Sequence, residues 1–172
     1  GYFHGVDNIG NTLNGFPVEL EGDNSDIWGS AVADDIDNDN EIEFVVASKN
    51  KHCYIIDQYG NIELNYETDQ YLMATPSIAN LDDDNYLEIV MYGYASSGDI
   101  YAINHNGSTV NNFPVQINEK ILKGGAIYDI DNNGRDDIVV ATENDELVAI
   151  IYDDGSISNL FTSSEKFKAA PS

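Results

Sequence analysis

The chain has 172 residues, with 7 Lys and Arg against 31 Asp and Glu, so its formal net charge is −24. Nucleic-acid binding depends on basic residues that neutralise phosphates, so this charge argues against a nucleic-acid ligand and against an anionic membrane surface. No apolar run reaches the roughly 18 residues that a membrane-spanning helix needs. With 42% hydrophobic and 10% aromatic residues, the chain can still bury a core.

Three acidic segments repeat along the chain. They read DIDNDNEIEFVVAS from Asp35, NLDDDNYLEIVMYG from Asn80 and DIDNNGRDDIVVAT from Asp129, and they start 45 and 49 residues apart. A small-residue apolar strand precedes each segment, and a β-branched run ends it. A further apolar strand, an Asn-Gly, Asp-Gly or Tyr-Gly turn and a weaker fourth strand follow.

This order of elements predicts four short antiparallel strands in about 45–50 residues, which is the period of a β-propeller blade. No stretch shows a sustained 3.6-residue apolar period, so we expect few or no helices. An ordinary β-sandwich is the alternative, but it gives no reason for the same order to recur three times. The predicted fold class is therefore all-β, with β-propeller blades of four antiparallel strands.

The repeat also divides the chain, and we expect about three and a half blades of an incomplete ring. Propellers usually close with about 4–8 blades, so we expect a piece of a longer protein or half of an assembly. The predicted units are the second half of a blade at 1–28, three blades at 29–73, 74–123 and 124–168, and the start of another at 169–172.

Each acidic loop places oxygen-bearing side chains at positions 1, 3, 5 and 9, which converge when the chain wraps tightly around a point. Position 7 varies in chemistry, as expected if only its backbone carbonyl binds. Position 6 must turn sharply and carries Asn40, Asn85 or Gly134, which tolerate positive φ. Hard oxygen ligands without His or Cys favour Ca²⁺, with about three ions in all. The candidate ligands are Asp35, Asp37, Asp39, Glu41, Glu43, Asn80, Asp82, Asp84, Tyr86, Glu88, Asp129, Asp131, Asn133, Arg135 and Asp137.

These loops admit two other interpretations. Acidic hairpin turns without any metal are the simpler one, since Asp and Asn are common turn residues. An EF-hand or dockerin loop also begins Asp-x-Asp-x-Asp, but its last ligand is at position 12 and helices flank it. Here the last ligand is at position 9, and strand-like residues follow at once.

The pattern Asp-x-Asp-x-Asp-Gly-x-x-Asp between two strands of a repeated blade resembles the FG-GAP repeat. That repeat occurs in the integrin α-subunit propeller and in bacterial secreted proteins of the VCBS type. The resemblance covers nearly the whole chain. It implies that each acidic loop lies in the hairpin between the first and second strands of a blade and binds one Ca²⁺. Glu43 and Glu88 replace the final Asp of the pattern, and Asn80 and Asn133 replace carboxylates.

Nothing in the sequence requires catalysis. His4, His52 and His105 lie in different units without the spacing of a metal site or a catalytic triad, and no nucleophile elbow or phosphate loop is present. Cys53 aligns with Ile100 in an apolar strand, which predicts a buried small side chain. We therefore expect no enzymatic activity.

The end of the blades opposite the acidic loops is a candidate ligand surface. In a four-stranded meander it receives the loops between the second and third strands, among them Glu143-Asn144-Asp145, and the connections between blades. Aromatic side chains there can stack on sugar rings or fill pockets of a partner. Packing of Trp28 and Tyr71 between blades is the alternative. The candidate ligand-binding residues are Trp28, Lys49, Lys51, Tyr71 and Tyr94.

The leading functional hypothesis is a calcium-binding, non-catalytic propeller segment of a secreted or cell-surface protein, for adhesion or recognition of a protein or glycan. Millimolar extracellular Ca²⁺ suits loops of modest affinity. Two alternatives remain open: the propeller part of a secreted, lyase-like polysaccharide-active enzyme, and a structural spacer.

The ends of the chain generate a prediction about assembly. The half-blade at 1–28 and the short segment at 169–172 would leave strand edges unpaired, and such edges pair readily with other chains. We therefore expect the isolated chain to self-associate, to bind missing blades or to aggregate. Light scattering across a concentration series tests this, and a stable monomer at all concentrations would contradict it.

Overall fold

A computed structural model describes residues 1–143, 147–163, 167 and 169–172. The regular structure of these residues consists of β-strands, which confirms the all-β prediction. None of the described segments forms a helix long and apolar enough to cross a membrane. The strands are β1 (Tyr2–Phe3), β2 (Val18–Glu19), β3 (Val32–Asp34), β4 (Glu43–Ala47), β5 (His52–Ile56), β6 (Ile62–Glu67), β7 (Ser77–Ala79), β8 (Glu88–Tyr92), β9 (Asp99–Ile103), β10 (Val115–Gln116), β11 (Gly125–Tyr128), β12 (Asp137–Ala141), β13 (Leu147–Ile151) and β14 (Ile157–Thr162).

The strands form three four-stranded meanders and one two-stranded sheet. Strands β3–β6, β7–β10 and β11–β14 each pair with their sequence neighbours in antiparallel order, and β1 pairs with β2. The described strands form no closed ring, so the prediction of incomplete propeller-like blades is confirmed. The exact limits of the blades stay a prediction, because they fall in connections between sheets and residue 168 lies outside the described residues.

The central sheet is buried on both faces, which explains why its second strand is a continuous apolar run. Along β8, Ile89 and Met91 pack in a cluster with the sheet β3–β6, whereas Val90 and Tyr92 pack in a cluster with the sheet β11–β14. All four side chains are at most 2% exposed. Alternate residues of a strand point to opposite faces, so each of these two sheets covers one face of the central one.

The first meander is covered on its other side by the N-terminal residues. Val46, Tyr54 and Ile56 pack with Phe16 and Val18. Val45 points the opposite way, into the cluster shared with the central sheet. The two-stranded sheet therefore occupies the place of a neighbouring blade.

The first strands of the three meanders, β3, β7 and β11, lie side by side. Their close approach requires glycine at one point, because a Cβ on Gly29 would lie 2.5 Å from the backbone nitrogen of Thr75. The amide of Ser30 also donates a hydrogen bond to Thr75 Oγ1 at 2.9 Å. The sheets are therefore held together tightly where their first strands begin.

The antiparallel order separates two faces of the molecule. The loops 35–42, 80–87 and 129–136 connect the first and second strands of each sheet and define what we call the acidic face. The loops between second and third strands lie at the other end, together with the connections between sheets. We call that end the lysine face and define it by Lys49, Lys51, Lys120 and Lys123.

The two-sided burial of the central sheet predicts a large effect of truncation. Ile89→Ala should lower the free energy of unfolding by about 2–5 kcal/mol, because a cavity forms between two sheets that cannot fully collapse. Ile9→Ala is the matched control, since Ile9 is 79% exposed, and it should change stability by less than about 0.5 kcal/mol. Urea unfolding followed by circular dichroism measures both, and equal effects would contradict this packing.

Candidate metal centres

In the first and third acidic loops, the side chain at position 1 holds the loop in its wrapped conformation. Asp35 accepts hydrogen bonds from the backbone amides of Asp39 and Asn40 at 3.0 and 2.9 Å. Asp129 accepts the equivalent pair of bonds in the third loop. A side chain that satisfies two turn amides keeps the loop wrapped without help from other elements. The convergence of positions 1, 3 and 5 is therefore built into the local hydrogen bonding.

The last candidate ligand of each loop is a buried carboxylate that begins the second strand of the sheet. Glu43, Glu88 and Asp137 are at most 3% exposed. Each accepts a hydrogen bond from the backbone amide at position 2 of its loop, at 3.0, 2.6 and 2.8 Å respectively. The sequence predicts position 9 as a ligand, and the structure adds that this residue ties the loop to the strand.

Carboxylates come together in all three loops. One oxygen from each member lies within 4.8 Å of the others, so each cluster could hold a metal ion. Glu43 is not a member of the first cluster. The clusters are Asp35, Asp37 and Asp39; Asp82, Asp84 and Glu88; and Asp129, Asp131 and Asp137.

The second loop holds the least compensated charge. Glu88 is fully buried, its Oε2 accepts the amide of Leu81, and its Oε1 has no hydrogen-bond partner among the described residues. Asn80 Oδ1 in the same loop is also buried and unpartnered within that part of the chain. Burial raises the pKa of Glu88 to about 7, and the negative charges of Asp82 and Asp84 add to that rise. An ionised Glu88 therefore needs a positive partner in this loop.

Burial also raises the pKa of Glu43 in the first loop, with a further contribution from Asp37 and Asp39. The pKa of Asp137 is raised by burial too, and two backbone amides oppose that rise. In the first loop, Asp37 Oδ1 is buried without a hydrogen-bond partner among the described residues. The first loop thus shares the second loop's shortage of donors, whereas both oxygens of Asp137 accept a hydrogen bond.

The predicted turn geometry holds in two loops out of three. At position 6, Asn40 and Gly134 have φ of +72° and +93°. Asn85 has no positive φ, so the prediction is wrong for the second loop, which wraps through side-chain bonds of Asp82 and Asp84 instead. Sequence reasoning missed a second left-handed residue at position 4 of the other two loops, Asn38 and Asn132, although Asn is the signal for it.

The side chains at position 7 have partners of their own. Glu41 accepts a hydrogen bond from the Tyr59 hydroxyl at 3.0 Å. Tyr86 packs against His105, with ring centroids 4.2 Å apart. These contacts are compatible with the prediction that only the backbone of this position would reach a cation.

Arg135, at position 7 of the third loop, forms ion pairs that the sequence did not predict. Its Nε lies 2.8 Å from a carboxylate oxygen of Asp153, which follows β13, and its Nη1 lies 3.7 Å from Asp83 of the second loop. Asn133 also donates to Asp153 at 2.9 Å. The third loop therefore carries a positive charge at position 7, whereas the first two loops have none there.

Neighbouring acidic loops are joined by hydrogen bonds. The amide of Leu87 donates to the carbonyl of Ile36 at 3.0 Å. The amide of Asp136 donates to the carbonyl of Asn80 at 2.7 Å, and the amide of Asn80 donates to the Asp136 carboxylate at 2.9 Å. The three candidate sites therefore form one connected row.

At the lysine face, Trp28 and Tyr71 are 59% and 48% exposed, so packing between blades does not account for them. The ammonium groups of Lys49 and Lys51 lie 5.6 Å from the ring centroids of Trp28 and Tyr71 respectively. Tyr94 is half-buried, and the ammonium group of Lys120 lies over its ring. Of the predicted loop 143–145, residues 144 and 145 lie outside the described residues.

The remaining reactive side chains are dispersed. Cys53 is buried as predicted, and burial raises the pKa of its thiol to about 12. His52 contacts Asn65, and His105 packs on Tyr86 near the second acidic loop. His4 lies in the N-terminal segment. The structure does not bring the three histidines together.

No family model matches the chain, and no curated protein matches it. Among solved structures, the chain is similar to the V. cholerae biofilm matrix protein Bap1, with a TM-score of 0.42 and 18% sequence identity. The match covers 81% of this chain and 29% of that protein's chain. The chain thus spans less than a third of that protein, and the resemblance to FG-GAP repeats stays a prediction.

The buried carboxylate of the second loop predicts a pH dependence of the metal-free chain. The folded-state pKa of Glu88, about 7, exceeds its ordinary value of 4.5, so the folded chain binds the proton more tightly. Its contribution to stability is present below pH 4.5 and is lost as the pH rises to 7, by roughly 1–3 kcal/mol. Glu88→Gln should weaken that pH dependence.

Thermal melting in EDTA between pH 4.5 and 8 measures this effect. The matched control is Glu41→Gln, which removes one partly exposed carboxylate of the neighbouring loop. Superimposable pH profiles for Glu88→Gln and Glu41→Gln would contradict a special role of Glu88.

Proposed function

We propose that the chain is a calcium-binding, non-catalytic β-propeller segment of a secreted or cell-surface protein that serves adhesion or the recognition of a protein or glycan. The observation that carries the metal part is in the second loop. There, Glu88 is fully buried, one of its oxygens has no partner among the described residues, and it lies in a cluster with Asp82 and Asp84. A cation would supply the partner that the described protein atoms do not supply.

The donor set favours Ca²⁺ among the available cations. The second loop offers carboxylates from Asp82, Asp84 and Glu88 and an amide oxygen from Asn80, which is buried and has no partner in the part of the chain that the structure describes. Oxygen donors that come from separate residues of one loop suit the variable coordination of Ca²⁺ better than the rigid octahedron that Mg²⁺ requires. No thiolate or imidazole belongs to the cluster, which argues against zinc and copper.

The row of linked loops gives the cations a structural role. Each loop begins where one strand ends and closes on the buried first residue of the next strand. Loss of a cation would leave mutually repelling carboxylates at that junction. Such a row suits a protein that works outside the cell, where Ca²⁺ is millimolar and would keep modest-affinity loops loaded.

Two observations support a recognition role rather than catalysis. Loop structure and the proposed cation sites would together account for the clustered carboxylates, and the histidines and Cys53 do not form a nucleophile–base pair with one another. Exposed aromatic rings at the lysine face instead offer contact area for a partner.

Removal of Ca²⁺ should destabilise the chain. A ligand that binds only the folded state stabilises it by about 2.7 kcal/mol per site at 100 times its Kd. For a chain of this size that corresponds to a rise in Tm of about 5–10 °C per site. Thermal melting with added Ca²⁺, Mg²⁺ or EDTA tests this. If the Tm is unchanged in EDTA and calorimetry detects no Ca²⁺ binding, the loops are acidic turns that bind no metal.

Single variants should rank the sites. Asp37→Ala should abolish more of the calcium-dependent rise in Tm than Asp131→Ala, because Asp37 Oδ1 is buried without a partner among the described residues. Asp131 is exposed and its loop contains Arg135. Asp23→Ala removes an exposed carboxylate outside the loops and should leave the rise unchanged. The reverse ranking of Asp37 and Asp131 would contradict the role assigned to the unpartnered oxygen.

A further inference from the structure

Positive charge is concentrated at one end of a strongly acidic molecule. Among the described residues, Lys49, Lys51, Lys120 and Lys123 lie at the lysine face, and Arg135 lies at the acidic face. Asp26 and Glu119 also lie in the connections at this end, and two further carboxylates there accept hydrogen bonds from tyrosines. Glu143 accepts a hydrogen bond from Tyr94 at 3.2 Å, and Asp69 accepts one from Tyr101.

Three of the four lysines are held over aromatic rings. Lys49 lies over Trp28 and Lys51 over Tyr71, both at 5.6 Å, and Lys120 lies over Tyr94 at 5.1 Å. The ring quadrupole attracts the ammonium group and restricts the long side chain. Trp28 and Tyr71 nevertheless stay about half exposed. The face therefore presents fixed positive charges beside open aromatic surfaces.

Lys51 occupies a backbone position that disfavours it. Its φ is +76°, a left-handed conformation that costs free energy for a residue with a Cβ. The equivalent position of the next sheet is Gly98, with φ +40°. The equivalence is structural, because the amide of Thr68 donates to the Lys51 carbonyl and that of Ile117 to the Gly98 carbonyl, both at 2.8 Å. Backbone strain of this kind concentrates at functional sites, where the side chain is needed.

A cavity lies beside these pairs, where the first strands of the three sheets begin. Its volume is about 270 Å³, and Trp28, Ser30, Thr75 and Lys123 line it. This is below the range of about 300–1,000 Å³ that is usual for drug-sized ligands, so it suits one ring of a longer polymer. Gly29 and Thr75 are in close contact at the base of the cavity, which restricts movement of the backbone there.

We infer that the lysine face binds an anionic polysaccharide, in which sugar rings stack on Trp28 and Tyr71 and carboxylates of uronic acid units pair with Lys49, Lys51 and Lys123. This inference rests on the recognition role proposed above and names its ligand class. Aromatic surfaces suit the apolar faces of sugar rings, whereas an acidic peptide would need the lysines alone. That difference favours a glycan over an acidic protein segment.

Calorimetric titration of the full chain with oligomers of polygalacturonate and of alginate tests the inference. Fully methyl-esterified galacturonan and polyglutamate serve as the neutral sugar and the acidic peptide. We expect binding to at least one of the two uronates, at least tenfold weaker binding of the ester and of polyglutamate, and weakening by salt. Binding of neither uronate, or polyglutamate bound as tightly, would overturn the inference.

Variants assign the binding to the lysine face. Trp28→Ala should weaken it about tenfold or more, and Tyr2→Ala, which removes another exposed aromatic residue, should leave it unchanged. Lys51→Gly should weaken binding about fivefold while the Tm stays the same or rises, because glycine removes the strain. Lys51→Arg should retain binding. Full binding by both Trp28→Ala and Lys51→Gly would overturn the inference.

The same titrations with Ca²⁺ and with EDTA separate this inference from the calcium proposal. Uronates bind Ca²⁺ themselves and could bridge to the acidic loops, so Asp82→Ala is included. Binding in EDTA that depends on Lys51 supports the lysine face even if the chain binds no Ca²⁺, in which case only the calcium proposal fails. Binding that needs Ca²⁺ and Asp82 but not Lys51 would place the glycan at the acidic face and overturn the inference.

Discussion

Burial of a carboxylate at the start of the second strand is the constraint on which the acidic face depends. Glu43, Glu88 and Asp137 are the first residues of β4, β8 and β12, and each also fastens its loop through a backbone amide. A buried charge is unfavourable unless it is hydrogen-bonded and paired. A single amide compensates part of this charge at Glu43 and at Glu88, and two amides do so at Asp137. The same residue therefore closes the loop and carries the buried charge that the proposed cation would neutralise.

The links between loops make the three junctions interdependent. Asn80 is bound through both its amide and its carbonyl to Asp136 of the next loop, and Leu87 is bound to Ile36 of the preceding one. Residues that share such a network do not contribute additively to stability. A change of charge in one loop is therefore felt at its neighbour. Arg135 extends the same coupling through its ion pair with Asp83.

The sequence alone was sufficient to predict the repeat and the four-stranded meander, because acidic loops, apolar runs and turns recur in a fixed order. It also identified the carboxylates of the three clusters, which all come from positions 1, 3, 5 and 9, although Glu43 at position 9 stays outside the first cluster. It could not reveal which oxygen atoms lack partners, because the burial of Glu88 and Asn80 depends on how neighbouring sheets cover the loop. It also did not reveal the ion pair of Arg135 with Asp153, which comes from a different hairpin.

The separation of the two faces explains how a chain of net charge −24 could attract an anion at one end. The acidic loops and the lysines lie at opposite ends of five-residue strands such as β4 and β8, and a strand of that length spans about 17 Å. Charges in physiological salt are screened over about 8 Å. The field of the acidic loops is thus largely screened at the lysines. What approaches this end depends on its own charges, which are the lysines together with carboxylates such as Asp69 and Glu143. At low salt the acidic end would reach further and oppose the approach of a polyanion, so net charge alone is a poor guide to the ligand of this molecule.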